Sequence, residues 1–496
     1  MRTRLVAVGV AAIAALLLSG CTGSTDKQQG PDTDATVNVG LVLEPTDLNI
    51  RRTSGAALDQ VLIDNVYEGL VSRTPQGEIV DTIAKSHAIS DDGLTYTFEI
   101  NGGVTFHDGK TMTVDDIVWS LTQVKDDPEL RDHELLSHVT EISAPDDHTV
   151  TLTLSEPDSN LLWNLSGRAG LVLEKAAKND LATTANGTGP FTLDSWKQGD
   201  SITLKRNTEY WGDKAKVAEV VFVYISDTTA GVNAALAGDV DVLTAVDPNL
   251  RSQFDGTDFT VTEGKTTDKY TLAFNNTKAP LDDVRVRKAL RLAVDHKAII
   301  DAIGGAGVQM GGPIPPLDPG YEDLTSVRPF EPDTAKKLLA EAGQENLKLT
   351  LTVPNIYGTT VPNLLVSAYK KVGVTLTVDS VEFSTWLNDV YQNHDYDLSF
   401  VDHLEPRDFG NWANPDYYFG YDNKDVQKLY AESIAAVDPA AADQKLKEAA
   451  RIVAEDHAAD WLYNALTLTA VGKGISGFPT DSPNARLDLS SLAVTT

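Results

Sequence analysis

The chain has 496 residues, of which 42% are hydrophobic and 23% charged, the composition of a folded protein with a substantial core. Lys and Arg total 41 against 72 Asp and Glu, and the resulting net charge of −31 excludes general nucleic-acid binding. One cysteine excludes an internal disulfide and any cysteine-held metal cluster.

The N-terminus decides the compartment. Arg2 and Arg4 precede an almost wholly apolar stretch, residues 5–18, that is short for a membrane span. It ends in Leu18-Ser19-Gly20-Cys21, which resembles the bacterial lipobox. That resemblance implies removal of residues 1–20 as a lipoprotein signal peptide and acylation of the Cys21 sulfur; an ordinary signal peptide with a chance cysteine is the alternative. More than one acyl chain is needed for stable anchoring, because a single chain binds membranes only marginally. Residues 22–36 are rich in Ser, Thr, Asp, Gln and Gly and read as a flexible tether following the lipidated cysteine. The body therefore begins near Val37 and faces the extracytoplasmic side of the cell membrane. At roughly 150 residues per domain, it holds about three domain-sized units or one large bilobed body.

Along the body, period-two alternation marks half-buried strands at Tyr96, Phe98 and Ile100, at Val150, Leu152 and Leu154, and at Ile202 and Leu204. Asp108-Gly109 marks a turn, and Thr113 with Asp116 forms a capping box ahead of Ile117, Val118, Trp119 and Leu121. Residues 228–243 read as a helix to Gly238, then a buried strand through Val240 and Val242. Residues 284–303 read as one basic-then-apolar helix, followed by a Gly/Pro-rich loop over 304–316. Asp333 is placed as the cap of a helix through Ala342, with Gly343 as its C′ glycine. Strands at 347–353 and 374–378 flank a helix over 364–371. A long amphipathic helix then sets Leu446, Ala450, Val453, His457 and Trp461 on one face.

Catalytic and metal motifs fail on spacing. His133 and His138 in the run DHELLSH are five apart, and so point to different sides of a helix rather than to one zinc ion. Ser367 and Lys370 have S-x-x-K spacing, but the chain has no K-T-G partner. There is no G-x-S-x-G elbow, P-loop or dinucleotide fingerprint. No catalytic residue, metal ligand or cofactor is assigned.

A series of segments carries a resemblance instead. Asn65-Val66-Tyr67-Glu68-Gly69-Leu70-Val71 is followed in order by SDDGLTYTF (90–98), VTFHDGKTMTVDDIVW (104–119) and NGTGPFTLDSW (186–196). RNTEYW (206–211), ALAGDVDV (235–242), RVRKALRLAVD (285–295) and EPDTAKKLLAEAG (331–343) complete it. Together these resemble the extracellular solute-binding proteins of peptide-type ABC importers, family 5, over most of the chain. The resemblance implies an α/β, bilobed periplasmic-binding-protein-like fold with two hinged lobes. Residues 37–275 would form the first lobe, with an extra subdomain at about 67–185. Residues 276–465 would form the second, and 466–496 return to the first. Hinges are expected near 275–280 and 463–467.

The implied function is capture of a small peptide between the lobes and its delivery to a membrane-embedded ABC permease, by a monomer without catalysis of its own. Family members also take nickel chelates, haem, sugars, opines or siderophore-like solutes, so a non-peptide solute is the alternative; a sensor or hydrolase on the same shell is a more distant one. A buried peptide ammonium needs a carboxylate, and its backbone can pair as an added strand. Asp402-His403-Leu404-Glu405-Pro406-Arg407-Asp408-Phe409 resembles the family's D-x-x-(D/E)-P-x-x-F segment, whose first aspartate receives the ligand's amino terminus. By position, Asp402 takes that role, Glu405 shapes the loop or supports it, and Arg407 partners a carboxylate. The neighbourhood departs from peptide receptors, with Ser399-Phe400-Val401 before the aspartate. Glu44 after the first strand, Tyr357, Trp386 and Trp412 are further candidates for the ligand wall, although buried aromatics more often serve the core.

Replacing the sulfur at the lipid site, Cys21→Ala, is expected to move the protein from the membrane to the soluble fraction. Retention in washed membranes would mean a different anchor.

Overall fold

The computed structural model describes residues 32–481 and 486–495; the leader and Cys21 lie outside the described residues. A single main sheet of 11 strands runs through the body. At one end Thr36–Leu41 pairs in parallel with Glu219–Tyr224 and Val242–Leu243, and the hairpin of Phe191–Lys197 and Ser201–Arg206 extends that end. At the other end Lys348–Pro354 lies in parallel between Thr375–Val381 and Leu398–His403. Two long antiparallel strands, Phe259–Phe274 and Ala459–Gly472, join these ends. Their mutual register breaks between Lys265 and Lys269. Each of these strands therefore belongs to both lobes.

A separate antiparallel sheet, in the order Ala84–Ile89, Thr95–Ile100, Thr149–Leu154, Val139–Asp146, packs with the helix Val114–Asp126 around its own core of Phe98, Ile117, Leu121 and Leu152. The C-terminal Leu487, Leu489 and Leu492 return to the core built by Val37, Val39 and Phe222. The architecture is a mixed α/β, bilobed one with an added antiparallel layer.

The alternating segments form strands as their pattern requires, with Tyr96, Phe98 and Ile100 all turned inward. Asp116 closes its capping box by accepting from the Thr113 backbone N–H at 2.9 Å. Gly238 and Gly343 both end helices with positive φ, +82° and +72°. Three expectations change. The helix expected over 284–303 is two, Val284–Leu292 and His296–Ala302, because Asp295 caps the second by accepting from the Ala298 N–H at 3.1 Å. Asp333 sits in the first turn of Pro332–Glu341 rather than before it, with Pro332 opening the helix. The last helix, Pro439–Glu455, stops short of His457, whose φ is +49°, and Trp461 belongs to the long strand that follows.

The scattered sequence motifs meet in space. Glu68 is buried and accepts from Thr188 Oγ1 at 2.8 Å, Tyr210 Oη at 2.6 Å and Trp211 Nε1 at 3.2 Å. Asn65 donates to the Leu487 carbonyl at 2.7 Å and accepts from the Leu489 N–H at 3.1 Å, tying the C-terminal return to the same place. A Cβ on Gly187 would fall 1.9 Å from the Val66 carbonyl oxygen, so only glycine lets these two segments touch. Farther on, Arg287 and Arg291 of the basic helix point inward. Arg291 donates to the carbonyls of Ala454 at 2.7 Å and Gly311 at 3.0 Å, and lies 3.5 Å from buried Asp460.

Burial pushes the Glu68 carboxyl up to about 7, against the pull of its three donors. Glu68→Ala leaves those donors unpaired in the interior, at about 1–3 kcal/mol for each. Urea unfolding is expected to show a loss of about 3 kcal/mol or more, with a smaller loss for Glu68→Gln. A change within about 0.5 kcal/mol for both would remove this knot from the interactions that hold the fold.

Candidate functional site

The strand Leu398–His403 ends at a cleft of about 1080 Å³ between the two bodies and delivers Asp402 to it. Across the sheet Asp402 faces Tyr270, which stacks on Tyr463 with centroids 4.5 Å apart. Tyr357 meets Tyr270 edge-on, and its hydroxyl accepts from the Asp402 N–H at 3.3 Å. The aspartate thus stands on an aromatic base that fixes its backbone. Its Oδ1 is buried and has no hydrogen-bond partner among the described residues.

The charge around it is unbalanced. Lys269 is buried, donates from Nζ to the carbonyls of Thr267 and Glu405 at 3.0 Å each, and pairs with Asp408 Oδ1 at 3.2 Å. Asp268 and Asp402 share that one ammonium with Asp408. Burial, then the neighbouring Asp268, pushes the Asp402 carboxyl up to about 8, with Lys269 pulling the other way. Burial likewise lifts Asp268 and Asp408 to about 6. A cluster with more carboxylates than cations, in a cleft, is completed by a cation from outside.

Asp402, Glu405, Arg407, Tyr357 and Trp386 all line the cleft. Glu405 is exposed there, and Trp386 is held by donating from Nε1 to Ser399 Oγ at 2.8 Å. Arg407 has a φ of +56°, and its N–H donates to Asp318 Oδ2 at 2.7 Å. Glu44 and Trp412 lie elsewhere. The Glu44 carboxylate accepts from Trp196 Nε1 at 3.0 Å and from the Gly199 N–H at 2.9 Å, so it braces the turn of the edge hairpin. Trp412 is buried, stacked on Phe419 at 4.0 Å and edge-on to Trp461, because its short helix turns the indole inward and presents Asn411 to the cleft. His403 is core as well: it shares a 2.9 Å hydrogen bond with the Tyr418 hydroxyl, and burial drops its ring to about 3, keeping it neutral.

Sequence reasoning missed Asp268, Lys269, Asp408, Arg73 and Trp163. The first two had a visible signal, an adjacent charge pair heading the apolar run Tyr270 to Phe274. Arg73 and Trp163 come from the first lobe and had none. Ser367 and Lys370 are both exposed on the helix Thr360–Lys371. His133 bonds the Val124 carbonyl at 2.8 Å, while His138 pairs with Glu156 at 3.1 Å. Among the described residues no group of three His, Cys, Asp or Glu could hold a metal ion, and no helix is long and apolar enough to cross a membrane.

Residues 78–428 match the family described as bacterial extracellular solute-binding proteins, family 5 Middle. Heme-binding protein A of Haemophilus influenzae is 30% identical over 364 residues, covering 65% of this chain and 65% of that protein, just under two thirds of its length. A probable D,D-dipeptide-binding periplasmic protein of Escherichia coli is 27% identical over 448 residues, 83% of this chain and 85% of that one. The structure of HbpA2 from Haemophilus parasuis superposes with a TM-score of 0.84 at 21% identity, covering 93% of this chain and 100% of that one; at that identity it speaks for the fold.

The raised Asp402 carboxyl makes a prediction with a definite sign. Between its unfolded value of about 3.9 and its folded value of about 8, the folded state holds a proton that the unfolded state has lost. Stability therefore falls as pH rises through that window. Asp402→Asn removes the effect, so its melting temperature should exceed that of the parent more at pH 8 than at pH 5. An equal difference at both would mean that the carboxyl titrates normally.

Proposed function

Because the chain belongs to the bacterial extracellular solute-binding proteins of family 5, we propose that it is a lipid-anchored receptor that captures small peptides between its lobes and hands them to an ABC permease. The observation that carries this reading is Asp402, a carboxylate with an unpartnered oxygen in an acid-rich cleft. A peptide's ammonium supplies the missing charge. Binding it favours the ionised form of Asp402, so affinity for ammonium ligands rises as pH approaches 8 and a proton is released on binding below that.

The two crossing strands support a hinge. Lys265 is opposite Leu466 and Lys269 opposite Asn464, so three residues on one strand face a single residue on the other. Such an interruption lets two lobes rotate without breaking the ladders on either side. Asn275, by contrast, donates to the carbonyls of His394 and Tyr396 at 3.0 and 3.1 Å and is locked into the second lobe. These observations support a hinge at 265–269 and 464–466. A ligand that touches both lobes favours the closed arrangement by its differential affinity. Acylated Cys21 would hold the receptor at the membrane within reach of its permease.

Native mass spectrometry of the purified protein with a mixture of di- to pentapeptides tests the reading. A retained peptide, displaced by competitors, is the expected result, and Asp402→Ala should weaken it by about 2–5 kcal/mol in calorimetry. Unchanged affinity in that variant would remove Asp402 from the site. A protein that ignores every peptide would transfer the same transport role to a non-peptide solute.

A further inference from the structure

Between the lobes, beside the cleft, lies a second cavity of about 420 Å³. Ile79, Ile89 and Leu162 of the first lobe line it from one side, and Ile314, Val437 and Leu446 of the second from the other. The volume exceeds the roughly 150 Å³ of an apolar cavity that takes up benzene, so one substituted aromatic ring fits. Asn160, Trp163, Arg407 and Ile434 line both this cavity and the cleft, and form the seam between them. Arg407 is engaged in that seam. Its guanidinium carbon lies 4.3 Å from the centroid of the Trp163 ring, and Nη1 donates to Asn160 Oδ1 at 3.2 Å. Beside it the Ser159 N–H donates to the Ile434 carbonyl at 2.9 Å.

Most polar side chains along the cavity already have partners. His87 pairs with Asp81 at 2.6 Å, Asp408 with Lys269 at 3.2 Å, and Asp443 accepts from the Gly320 N–H at 2.6 Å. Asp318 differs. It is 7% exposed, its Oδ2 accepts from the Arg407 N–H at 2.7 Å, and its Oδ1 has no hydrogen-bond partner among the described residues. Burial raises its carboxyl above the usual range, while Lys269, and then Arg407, pull it back. Two cations already act on this carboxylate, so its free oxygen lacks a donor rather than another charge. Arg407 Nε is likewise buried without a partner among the described residues. A hydroxyl is the neutral group that can donate to the one and accept from the other.

We propose that the side cavity is a second binding site, separate from the cleft, for a small phenolic molecule whose ring fills the apolar space and whose hydroxyl donates to Asp318. The occupant touches both lobes and so restrains their relative rotation. The site makes no use of what the cleft carries and goes beyond the receptor reading.

The test uses 4-ethylphenol and its methyl ether on the purified full-length protein, read by calorimetry. The phenol is expected to bind at one site about tenfold tighter than the ether, which keeps the ring and loses the donor. Binding should also raise the melting temperature. Leu162→Trp, which fills the side cavity and lies outside the lining of the cleft, should abolish binding of both probes. Asp318→Asn keeps an oxygen for the Arg407 N–H and puts amide hydrogens in place of the free oxygen, so the phenol's advantage should disappear. Melting curves of both variants check that they fold. Absence of binding, binding that survives Leu162→Trp, or a phenol advantage that survives Asp318→Asn would each overturn the site. Should Asp318→Asn fail to fold, equal affinity of the parent for phenol and ether would overturn it as well. Peptide binding, or its failure, bears on the cleft alone and leaves this site standing.

Discussion

The antiparallel pairing of Phe259–Phe274 with Ala459–Gly472 is the constraint on which the rest depends. Both strands pass from one lobe to the other, so a single backbone ladder makes the lobes one sheet, with register shifts between Lys265 and Lys269 and between Tyr270 and Thr271. The pair also builds the site. Tyr270 and Tyr463 stack where the strands face each other, and the base they form carries Asp402 on the neighbouring strand. Lys269 stands at the register break itself. The residue that anchors the acid cluster is therefore at the interruption of the ladder that joins the lobes.

Electrostatics and packing work against each other in this cleft. Burial lifts Asp402, Asp268 and Asp408 above the usual carboxylate range, and one buried lysine serves all of them. A site built for stability alone would pair each charge or remove it. Here excess acid is gathered around Asp402, whose Oδ1 has no partner among the described residues. The strain at Arg407, a non-glycine residue with φ of +56°, falls in the same loop, held there by Asp318.

The family motifs have a plain physical meaning once folded. Glu68 of the first motif accepts from Thr188 of the fourth and from Tyr210 and Trp211 of the fifth, while Asn65 holds the C-terminal return. They describe a hydrogen-bonded junction in the first lobe that does not line the cleft. Arg287 and Arg291 play the corresponding part in the second lobe, where they satisfy carbonyls at the end of the helix Pro439–Glu455. These motifs identify the shell and say little about its cargo.

The strands with clean alternation, the caps at Thr113 and Gly343, the family, and the D-x-x-E-P segment that holds Asp402 are legible from the chain, because each is written in residues a few positions apart. The sequence misjudged the last helix, since Val453, His457 and Trp461 keep a helical spacing that strand pairing overrides. It also misjudged Trp412 and Glu44, because an aromatic or acid near a cleft-bound loop reads the same whichever way its short helix or turn points it. Which charged groups meet is set by the fold: Lys269 with Asp402 and Asp408, and Arg73 with Trp163 and Arg407. Those partners lie between 90 and several hundred residues apart in the chain or on opposite lobes, and their pairing is set by how two α/β bodies close on a shared sheet, which no local pattern records.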